Sequence, residues 1–444
     1  LSQMKVRKVQ LHNVRLIKDM ELSLNDKRVT ILLGENGKGI TTLLDSIALC
    51  ANVFTSSFPG IKKRNPSPWD IHINEQNEVS DYLSIRTTFS FDENHTIEVE
   101  RFLRRDSLVK ASSSVGEKEL RDYALSQLEQ IQQENGTIQL PIFVYYSTER
   151  GRIQAPQRNR NFQKVFERWD SYINATEADT DFKRFFQWFD YQEDMERREK
   201  VEREDYQYES PTLKAVRNAL HSMLNGRYRN PRILLSPLRF AMDEQMGQDC
   251  RTVRIEQMSD GYRIIVALVA DIASRLAEAN PQLENPLLGE GIVLIDEADL
   301  HLHPSWQRRF LKDLSNTFPN IHFITTTHSP LIAMGAADIA QIFVFNGEGY
   351  LEETDADIYS TYDVGQVLMS ELFNLPTDRS PKWDEAIRRR FELLNKQELS
   401  AAEKLELQEL EAQLSKLAFG ESTEEIEARQ LILEAAGLLK EHHD

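Results

Sequence analysis

The chain has 444 residues, enough for one large domain or for two to three ordinary domains with a well-filled apolar core. Its 71 acidic and 53 basic residues give a formal net charge of −18, which excludes a continuous basic surface that coats nucleic acid. The only cysteines, Cys50 and Cys250, are expected in the core, and they offer neither a disulfide framework nor a zinc site. The sequence has no run of about 18 apolar residues and no signal-peptide pattern, so we expect a cytoplasmic protein without a membrane partner.

The first predicted elements are two short strands, residues 4–11 and 20–24, in which apolar and polar side chains alternate. An apolar run follows at residues 29–33, and after a glycine-rich segment a helix-like run covers residues 43–49. Strand, glycine loop and helix in this order are typical of a phosphate-binding loop. We therefore expect a polyphosphate between the third strand and the first helix.

The glycine-rich segment is predicted to surround the phosphates. Glycines let backbone N–H groups turn inward, and the helix that follows presents its positive end to the same place. Thr41 stands where a hydroxyl would bind Mg²⁺. The predicted nucleotide-binding residues are Gly34, Glu35, Asn36, Gly37, Lys38, Gly39, Ile40, Thr41 and Thr42.

Ile40 holds the position directly after the last glycine, where the general pattern has a lysine that reaches the β- and γ-phosphates. Lys38 cannot take this role by a shift in register, because every glycine and both threonines would then leave their positions. A positioned positive charge stabilises the transition state of phosphoryl transfer. We therefore expect hydrolysis to be impaired in this chain relative to an Ile40→Lys form.

A hairpin, a helix and a strand are predicted next. Residues 83–91 and 96–102 alternate apolar and polar side chains, which predicts a hairpin. Residues 117–133 are helical and polar, and residues 140–146 are mostly apolar. The last of these is predicted to be a central strand.

A helical lobe is predicted from about residue 162 to residue 225, with aromatic side chains at helical spacing that we expect in its core. Within it, residues 193–209 are almost all charged, which predicts a solvated helix or loop. Strands at residues 232–235 and 252–256 are predicted to lead back into the nucleotide domain.

Ser259 and Gly261 lie in a turn before a long apolar helix, residues 264–273. A serine hydroxyl and free N–H groups at a helix start can bind a phosphate, so both residues are further candidates for nucleotide binding. The alternative is an ordinary helix cap, with Ser259 at the N-cap and Asp260 in the first turn.

A continuous apolar strand, residues 291–295, ends in the carboxylates of Asp296 and Glu297, as is typical of a buried parallel strand with ligands at its carboxyl end. Asp296 is the candidate ligand of Mg²⁺. Glu297 is the candidate that orients and deprotonates the water attacking the γ-phosphate. His301 and His303 follow without further ligand spacing, so we expect loop residues there and no metal site.

A helix is predicted over residues 305–318, before another buried strand, residues 321–327, that ends at His328. The His328 imidazole could hydrogen-bond the γ-phosphate or the attacking water, and a satisfied core histidine is the alternative. Residues 340–345 and 349–352 predict a closing hairpin.

These motifs together resemble those of ABC-type ATPases of the SMC and RecF group. Each lies in the strand or turn context that the group shows, and their order agrees. They are Walker A at residues 34–41, the signature motif at 258–263, Walker B with its catalytic glutamate at 292–297, the D-loop at 298–301 and the switch histidine at His328. The resemblance covers roughly residues 4–350 and is looser over residues 60–250.

The resemblance implies an α/β fold: an ABC-type P-loop ATPase domain with a mixed sheet, a helical insertion and a C-terminal helical module. The ATPase domain would comprise residues 1–155 and 229–375, the insertion 156–228 and the module 376–444. ATP and Mg²⁺ are the implied cofactors. Gln154 is the candidate for the family's Q-loop glutamine.

In this group ATP is sandwiched between two copies, so that Walker A of one faces Ser259 of the other. The resemblance therefore implies at least a homodimer. No long coiled coil interrupts the chain, which departs from SMC proteins and points to shorter ATPases of bacterial defence operons. Among these the chain is similar to the PtuA family of Septu-type antiphage systems and related retrons.

This narrower resemblance implies an oligomeric scaffold that holds and regulates a companion HNH nuclease of the PtuB type, with DNA reached through the complex. The chain itself has no Toprim-like acidic cluster after residue 350 and no His-Asn-His arrangement. One alternative is a RecF-like repair ATPase that binds DNA directly through basic clusters at residues 62–64, 101–105 and 150–160. Another is a nucleotide-binding structural protein that never hydrolyses ATP.

The C-terminal residues predict a short acidic bundle. Residues 383–396 and 403–417 predict two helices, the second opened by a capping box of Ser400 and Glu403, and residues 422–439 predict a third. Such a module offers a partner or self-association surface, and a cap on its own ATPase domain is the alternative.

Overall fold

A computed structural model of the chain describes residues 4–34, 39–92, 95–106, 115–133, 137–148, 166–177, 182–235, 238–345, 351–373, 375, 381–394, 396 and 400–414. The chain divides into two compact units. Leu1–Val367 with Glu371–Phe373 form the first, and Leu368–Ser370 with Asn374–Asp444 form the second. The finer division into two ATPase segments, an insertion and a C-terminal module stays a prediction.

The described residues form both strands and helices. The strands are β1 (Lys5–Val14), β2 (Ile17–Ser23), β3 (Val29–Gly34), β4 (Tyr82–Ser90), β5 (Thr96–Arg104), β6 (Ile142–Tyr146), β7 (Tyr228–Leu235), β8 (Leu238–Met246), β9 (Asp249–Arg254), β10 (Gly291–Ile295), β11 (Ile321–Thr327), β12 (Ala340–Phe345) and β13 (Leu351–Thr354). The helices are α1 (Ile40–Thr55), α2 (Glu117–Gln132), α3 (Phe182–Glu202), α4 (Pro211–Met223), α5 (Asp260–Ala279), α6 (Pro304–Gln307), α7 (Phe310–Thr317), α8 (Pro330–Ala336), α9 (Ala356–Tyr359), α10 (Val364–Met369), α11 (Pro381–Leu394) and α12 (Ala401–Leu414).

A six-stranded sheet in the order β13-β12-β3-β11-β10-β6 carries the predicted nucleotide motifs. Its strands run parallel except for β13, which is antiparallel to β12. The central strands β3, β11 and β10 are buried along almost their whole length, as parallel strands covered on both faces are. Their carboxyl ends lie at one edge of the sheet, so the phosphate loop, Asp296 and His328 emerge side by side. The predicted α/β fold with a mixed sheet is confirmed.

The expectation that residues 140–146 form a central strand is wrong. β6 lies at the end of the described sheet and pairs there with β10 alone. All five of its residues are nevertheless buried, and the Tyr145 N–H donates to the carbonyl of Ala175 at 2.7 Å, so another segment covers its outer edge. An edge strand covered in this way is as apolar in sequence as a central strand.

Two smaller antiparallel sheets complete the first unit. β2, β1, β4 and β5 form one of them, which confirms the predicted opening strand pair and the hairpin. β7, β8 and β9 form the other. The strands expected at residues 232–235 and 252–256 belong to this sheet as β7 and β9, and the chain returns to the six-stranded sheet at β10. β8 was not expected, because apolar and polar residues do not alternate regularly along it.

The expectation of a solvated segment over residues 193–209 is partly wrong. Glu193 accepts the N–H of Ile233 at 3.1 Å, and Glu196 accepts two hydrogen bonds from Arg217 at 3.0 and 3.1 Å. Both glutamates are buried. Charged side chains are buried when tertiary partners satisfy them, and composition alone does not reveal those partners.

Two further expectations are corrected. The helix expected over residues 305–318 is interrupted, because α6 ends at Gln307, α7 begins at Phe310, and Arg309 stacks on the Trp306 ring at 4.1 Å between them. Cys50 is buried as expected, but Cys250 is exposed, because it lies in β9, whose side chains mostly face solvent.

In the second unit, α11 and α12 are joined by Arg389, which donates to Glu406 at 2.7 and 3.0 Å. The capping box predicted for α12 is confirmed: the Ser400 N–H donates to the Glu403 carboxylate at 3.0 Å, and the Glu403 N–H donates to the Ser400 hydroxyl at 3.3 Å. The third helix predicted over residues 422–439 lies outside the described residues. Of the helices that the structure describes, none is long and apolar enough to cross a membrane.

Candidate nucleotide site

The phosphate loop runs from Gly34, the last residue of β3, to Ile40, the first residue of α1. Gly39 has a φ of +102°, in the left-handed region that favours glycine. A Cβ on Gly39 would also lie only 3.1 Å from Cγ1 of Ile17, so conformation and packing both require glycine there. The predicted residues Glu35, Asn36, Gly37, Lys38 and Gln154 lie outside the described part of the chain.

Ile40 packs against Gly34, the first residue of this loop. Its side chain is 8% exposed, and a Cβ added to Gly34 would collide with Ile40 Cδ1 and lie 2.8 Å from Cβ of Phe345. Gly34 is therefore constrained to glycine by close packing on two sides. The aliphatic side chain that stands in place of the expected lysine packs on Gly34 and supplies neither charge nor hydrogen-bond donor.

Thr41 and Asp296 are brought together at the carboxyl edge of the sheet. Thr41 is exposed in the first turn of α1 whereas Thr42 is buried, so Thr41 is the threonine that faces outward. The Thr41 hydroxyl donates to Oδ2 of Asp296 at 3.0 Å. The other carboxylate oxygen, Oδ1, accepts a hydrogen bond from the hydroxyl of Thr326 at 2.6 Å.

Glu297 is held in a strained backbone conformation beside this carboxylate. Its φ is +48°, in the left-handed region, which costs a non-glycine residue of order 1–3 kcal/mol. The Glu297 N–H donates to the Thr326 hydroxyl at 2.7 Å, and the Glu297 carbonyl accepts the N–H of Leu300. The Thr326 hydroxyl therefore links the candidate metal ligand Asp296 to the candidate base Glu297.

His328 follows β11 on the same edge and is exposed. Its backbone N–H donates to Oδ1 of Asp299 at 3.2 Å, and the Thr327 hydroxyl donates to the same oxygen. Asp299 belongs to the segment that resembles the D-loop. Its carboxylate therefore ties that segment to the backbone of the candidate switch histidine.

Gln307 adds a second tie between the same two segments. Its amide nitrogen donates to the carbonyl of Leu302 at 2.9 Å, and its amide oxygen accepts from the hydroxyl of Ser329, directly after His328, at 2.6 Å. His303 acts as the N-cap of α6 by accepting the N–H of Ser305, so it serves the helix start as a loop residue.

Ser259 and Gly261 lie at the start of α5 and do not belong to the hydrogen-bonded group around Asp296. Ser259 is the N-cap residue and is exposed, but its side chain makes no capping hydrogen bond. The ordinary helix cap considered from the sequence is therefore only half right, because the position is correct and the capping bond is missing. A Cβ on Gly261 would lie 3.0 Å from the carbonyl oxygen of His301, so this helix start packs closely on the D-loop segment.

The oxygens around Asp296 suit a magnesium ion. Asp296 is buried. The burial of Tyr145 and the negative charge of Asp296 together raise the pKa of the Tyr145 hydroxyl. A buried carboxylate and a hydroxyl 3.0 Å apart form a hard oxygen donor set in a region of low dielectric, which favours a small divalent cation. Among the described residues no group of three or more His, Cys, Asp and Glu side chains could hold a metal ion, so water and phosphate oxygens would complete the coordination.

Thr326, Thr327 and Gln307 were not singled out from the sequence. Threonine is common in strands, and glutamine is unremarkable in a helix. A signal was present, because three consecutive threonines, residues 325–327, end a strand that is buried throughout. Buried hydroxyls need hydrogen-bond partners, and at this edge the nearest partners are Asp296 and Asp299.

Comparison with known proteins identifies the family of the chain. A family model described as an AAA domain matches residues 8–225. The probable ATPase of retron Vc95 from Vibrio cholerae serotype O1 biovar El Tor is 30% identical over 378 residues, which cover 74% of this chain and 71% of that protein. The chain belongs to the retron ATPase family. The predicted resemblance to ABC-type ATPases of the SMC and RecF group, and among them to PtuA, is confirmed as a resemblance.

Further relatives extend the comparison. The probable ATPase of retron Ec83 from Escherichia coli is 27% identical over 398 residues, covering 74% of this chain and 70% of that protein. The Septu protein PtuA of Bacillus mycoides (strain KBAB4) is 35% identical over 171 residues, 37% of this chain and 23% of PtuA. Among solved structures, the SMC head domain from Thermotoga maritima matches with a TM-score of 0.43 and 16% identity, covering 79% of this chain and 99% of that one.

Proposed function

We propose that the chain binds ATP with Mg²⁺ at the phosphate loop and hydrolyses it slowly. The observation that carries this proposal is the hydrogen-bonded group of Thr41, Asp296, Thr326 and Glu297, which gathers two hydroxyls, the Asp296 carboxylate and the Glu297 backbone at the end of the phosphate loop. Phosphoryl transfer needs positioning and charge stabilisation more than covalent chemistry. These side chains are suited to both tasks.

Each residue has a separate role in this proposal. Thr41 and Asp296 would hold Mg²⁺, which when bound neutralises negative charge on the phosphates. Glu297 orients the attacking water and accepts its proton, and its fixed backbone limits the positions that its carboxylate can take. His328 donates a hydrogen bond to the γ-phosphate from an exposed position after β11.

Ile40 makes this hydrolysis slow. The backbone N–H groups and the start of α1 still favour an anion, so binding is retained. The missing ammonium would stabilise charge that develops on the transferred phosphate, and its loss lowers the rate more than the affinity. The Ile40 side chain packs on Gly34, so it fills the lysine position without supplying the lysine's positive charge.

A second copy of the chain completes the site in this proposal. Ser259 is exposed at the start of the 20-residue helix α5, and its hydroxyl is not used for capping. A free hydroxyl at a helix N-terminus can bind a phosphate. We infer that Ser259 and Gly261 of one copy face the ATP on the phosphate loop of the other, so that ATP promotes a homodimer.

The chain serves in antiphage defence in this proposal, as an ATP-binding oligomeric scaffold that holds and regulates an HNH nuclease of the PtuB type. The names of its relatives, retron ATPases and the Septu protein PtuA, support the setting. In this proposal the chain reaches DNA through the complex. Cytoplasmic localisation belongs to the same proposal.

Direct DNA binding of the RecF type is less well supported. Arg101 is 3% exposed and pairs with Glu117 at 3.3 Å, and Arg64 pairs with Asp45 at 2.7 Å. Both arginines are thus engaged within the protein, whereas Lys62, Lys63, Arg104 and Arg105 of the same clusters are exposed, so the basic surface is reduced but not removed. The third basic cluster, residues 150–160, lies outside the described residues.

The scaffold is tested by native mass measurement of the chain expressed together with its neighbouring genes. With ATP and the Glu297→Gln substitution to slow turnover, we expect at least a dimer that carries a small nuclease. The Ser259→Ala variant should dimerise less in ATP, whereas Ser400→Ala, at another exposed helix cap, should not differ from the parent. A monomer whose mass does not change with ATP and that carries no nuclease would contradict the proposal.

A further inference from the structure

Trp69 is 91% exposed, more than any other large apolar side chain in the described part of the chain. It lies in the single-turn helix Pro68–Asp70, between α1 and β4. Tryptophan carries a large apolar ring whose removal from water is strongly favourable, so a fully exposed indole marks a surface suited to a ligand.

The backbone that carries this indole is fixed. The Ser67 hydroxyl accepts the Trp69 N–H at 3.3 Å, and the Asp70 carboxylate accepts the Ser67 N–H at 2.7 Å. Arg15 holds the turn from the other side, because its N–H donates to the Asp70 carbonyl at 2.7 Å and its Nε donates to the Asp70 carboxylate at 2.8 Å. A ligand that meets Trp69 therefore meets a preorganised surface and orders little backbone.

This turn is connected to the phosphate loop through the β1–β2 turn. The Arg15 guanidinium also donates to Asp45 of α1 at 2.6 Å, which anchors it to the helix that starts at the loop. The next residue, Leu16, is 66% exposed, and its Cβ lies 3.9 Å from where a Cβ on Gly39 would stand. Leu16 therefore lies between the end of the phosphate loop and the turn that carries Trp69.

Leu16, Trp69 and Ile73 are all exposed, and we call these three residues the base shelf. Ile73 follows Ile71, which bridges to Val14 of β1 and so keeps this segment beside the β1–β2 turn. The shelf is apolar, and the neighbouring loop favours anions. A nucleotide has both characters in one molecule, since its phosphates are anionic and its base is flat and aromatic.

We propose that Trp69 stacks on the base of the bound nucleotide, with Leu16 packing at the side of the ring. This assignment rests on the proposed function, because the phosphates must lie on the loop for the base to reach the shelf. Stacking of a base on an aromatic side chain does not select one base strongly, because every base has a π-face. A purine nucleotide should bind more tightly than a pyrimidine nucleotide, since its larger ring covers more of the indole.

The test compares ATP with inorganic tripolyphosphate, which has the phosphates and lacks the base. Calorimetry of the full chain with Mg²⁺ measures the affinity of both ligands for the parent and for Trp69→Ala, Trp69→Phe and Tyr206→Ala. Tyr206, 79% exposed, is a matched exposed aromatic of the same unit. We expect Trp69→Ala to weaken ATP about tenfold or more and to leave tripolyphosphate unchanged. Trp69→Phe and Tyr206→Ala should bind both ligands nearly as the parent does.

Each other result overturns the assignment in a distinguishable way. Unchanged ATP affinity in Trp69→Ala would show that the indole does not meet the base, and a change in oligomeric mass alone would make Trp69 a contact between copies. Equal loss of ATP and tripolyphosphate would show that the turn only supports the loop. If the parent chain binds neither ligand, the proposed function itself fails.

Discussion

Thr326 offers the sharpest test of how the hydrolytic residues are positioned. The Thr326→Val substitution removes a hydroxyl that donates to Asp296 at 2.6 Å and accepts the Glu297 N–H at 2.7 Å, with nearly the same side-chain volume. A hydrogen bond to a charged group contributes about 1.5–3 kcal/mol, and a buried N–H left without a partner costs about 1–3 kcal/mol. Glu297, whose φ of +48° is already unfavourable, then loses one of the contacts that hold its backbone.

The expected result is a loss of turnover with ATP binding retained. If the 1.5–3 kcal/mol of lost positioning appears in the barrier, kcat falls about ten- to hundredfold, because 1.36 kcal/mol is a factor of ten in rate. The measurement is steady-state phosphate release at saturating ATP, in the Ile40→Lys form so that the parent rate is high enough to measure. ATP affinity by calorimetry should change little, because Thr326 is not placed to touch the phosphates.

Thr325→Val is the matched control. Thr325 lies on the same strand and is equally buried, and its hydroxyl bonds only the carbonyl of Thr326, at 3.2 Å, among the contacts found. Thr326→Ser, which restores a hydroxyl, should recover most of the turnover. If Thr326→Val and Thr325→Val retain the same kcat, then Thr326 has a packing role and the positioning account is refuted.

Two further predictions concern neighbouring polar groups. Asp299→Asn weakens the acceptor shared by the Thr327 hydroxyl and the His328 N–H. We expect kcat to fall several-fold while ATP affinity stays within twofold. An unchanged kcat would show that this hydrogen bond does not position His328. Burial lowers the pKa of His322 to about 3, below its ordinary 6.5. Below pH 6.5 the unfolded state therefore binds a proton that the folded state does not bind. The free energy of unfolding should fall by up to about 1.4 kcal/mol per pH unit there. Denaturant unfolding between pH 7 and pH 5 should therefore show a shallower pH dependence for His322→Gln than for the parent, and equal slopes would contradict the assignment.

The central sheet could be predicted because its strands carry their own signal. β3, β10 and β11 are buried on both faces, so they appear as mostly apolar runs, and chain order places the loop, Asp296 and His328 at their carboxyl ends. The position of β6 at the sheet edge could not be predicted, because the Ala175 segment that covers it comes from elsewhere in the chain. Burial fixes the composition of a strand, and composition does not report which neighbour supplies that burial.

The residues of the candidate site also differ in how readily the sequence reveals them. Asp296 and Glu297 stand out because carboxylates directly after an apolar strand need a reason to be there. Thr326 does not stand out, because its role depends on the pairing of β10 with β11, which brings its hydroxyl beside both acids. The exposed indole of Trp69 likewise cannot be recognised from sequence, since a tryptophan in a segment without periodicity can be buried or exposed.

The most direct test of the central claim is the turnover of three forms of the full chain: the parent, Ile40→Lys, and Ile40→Lys with Glu297→Gln. The account predicts slow phosphate release by the parent, a much faster rate once the lysine is present, and loss of that gain when Glu297 is changed. Equal turnover of the parent and Ile40→Lys, or a fast rate that survives the change at Glu297, would contradict it.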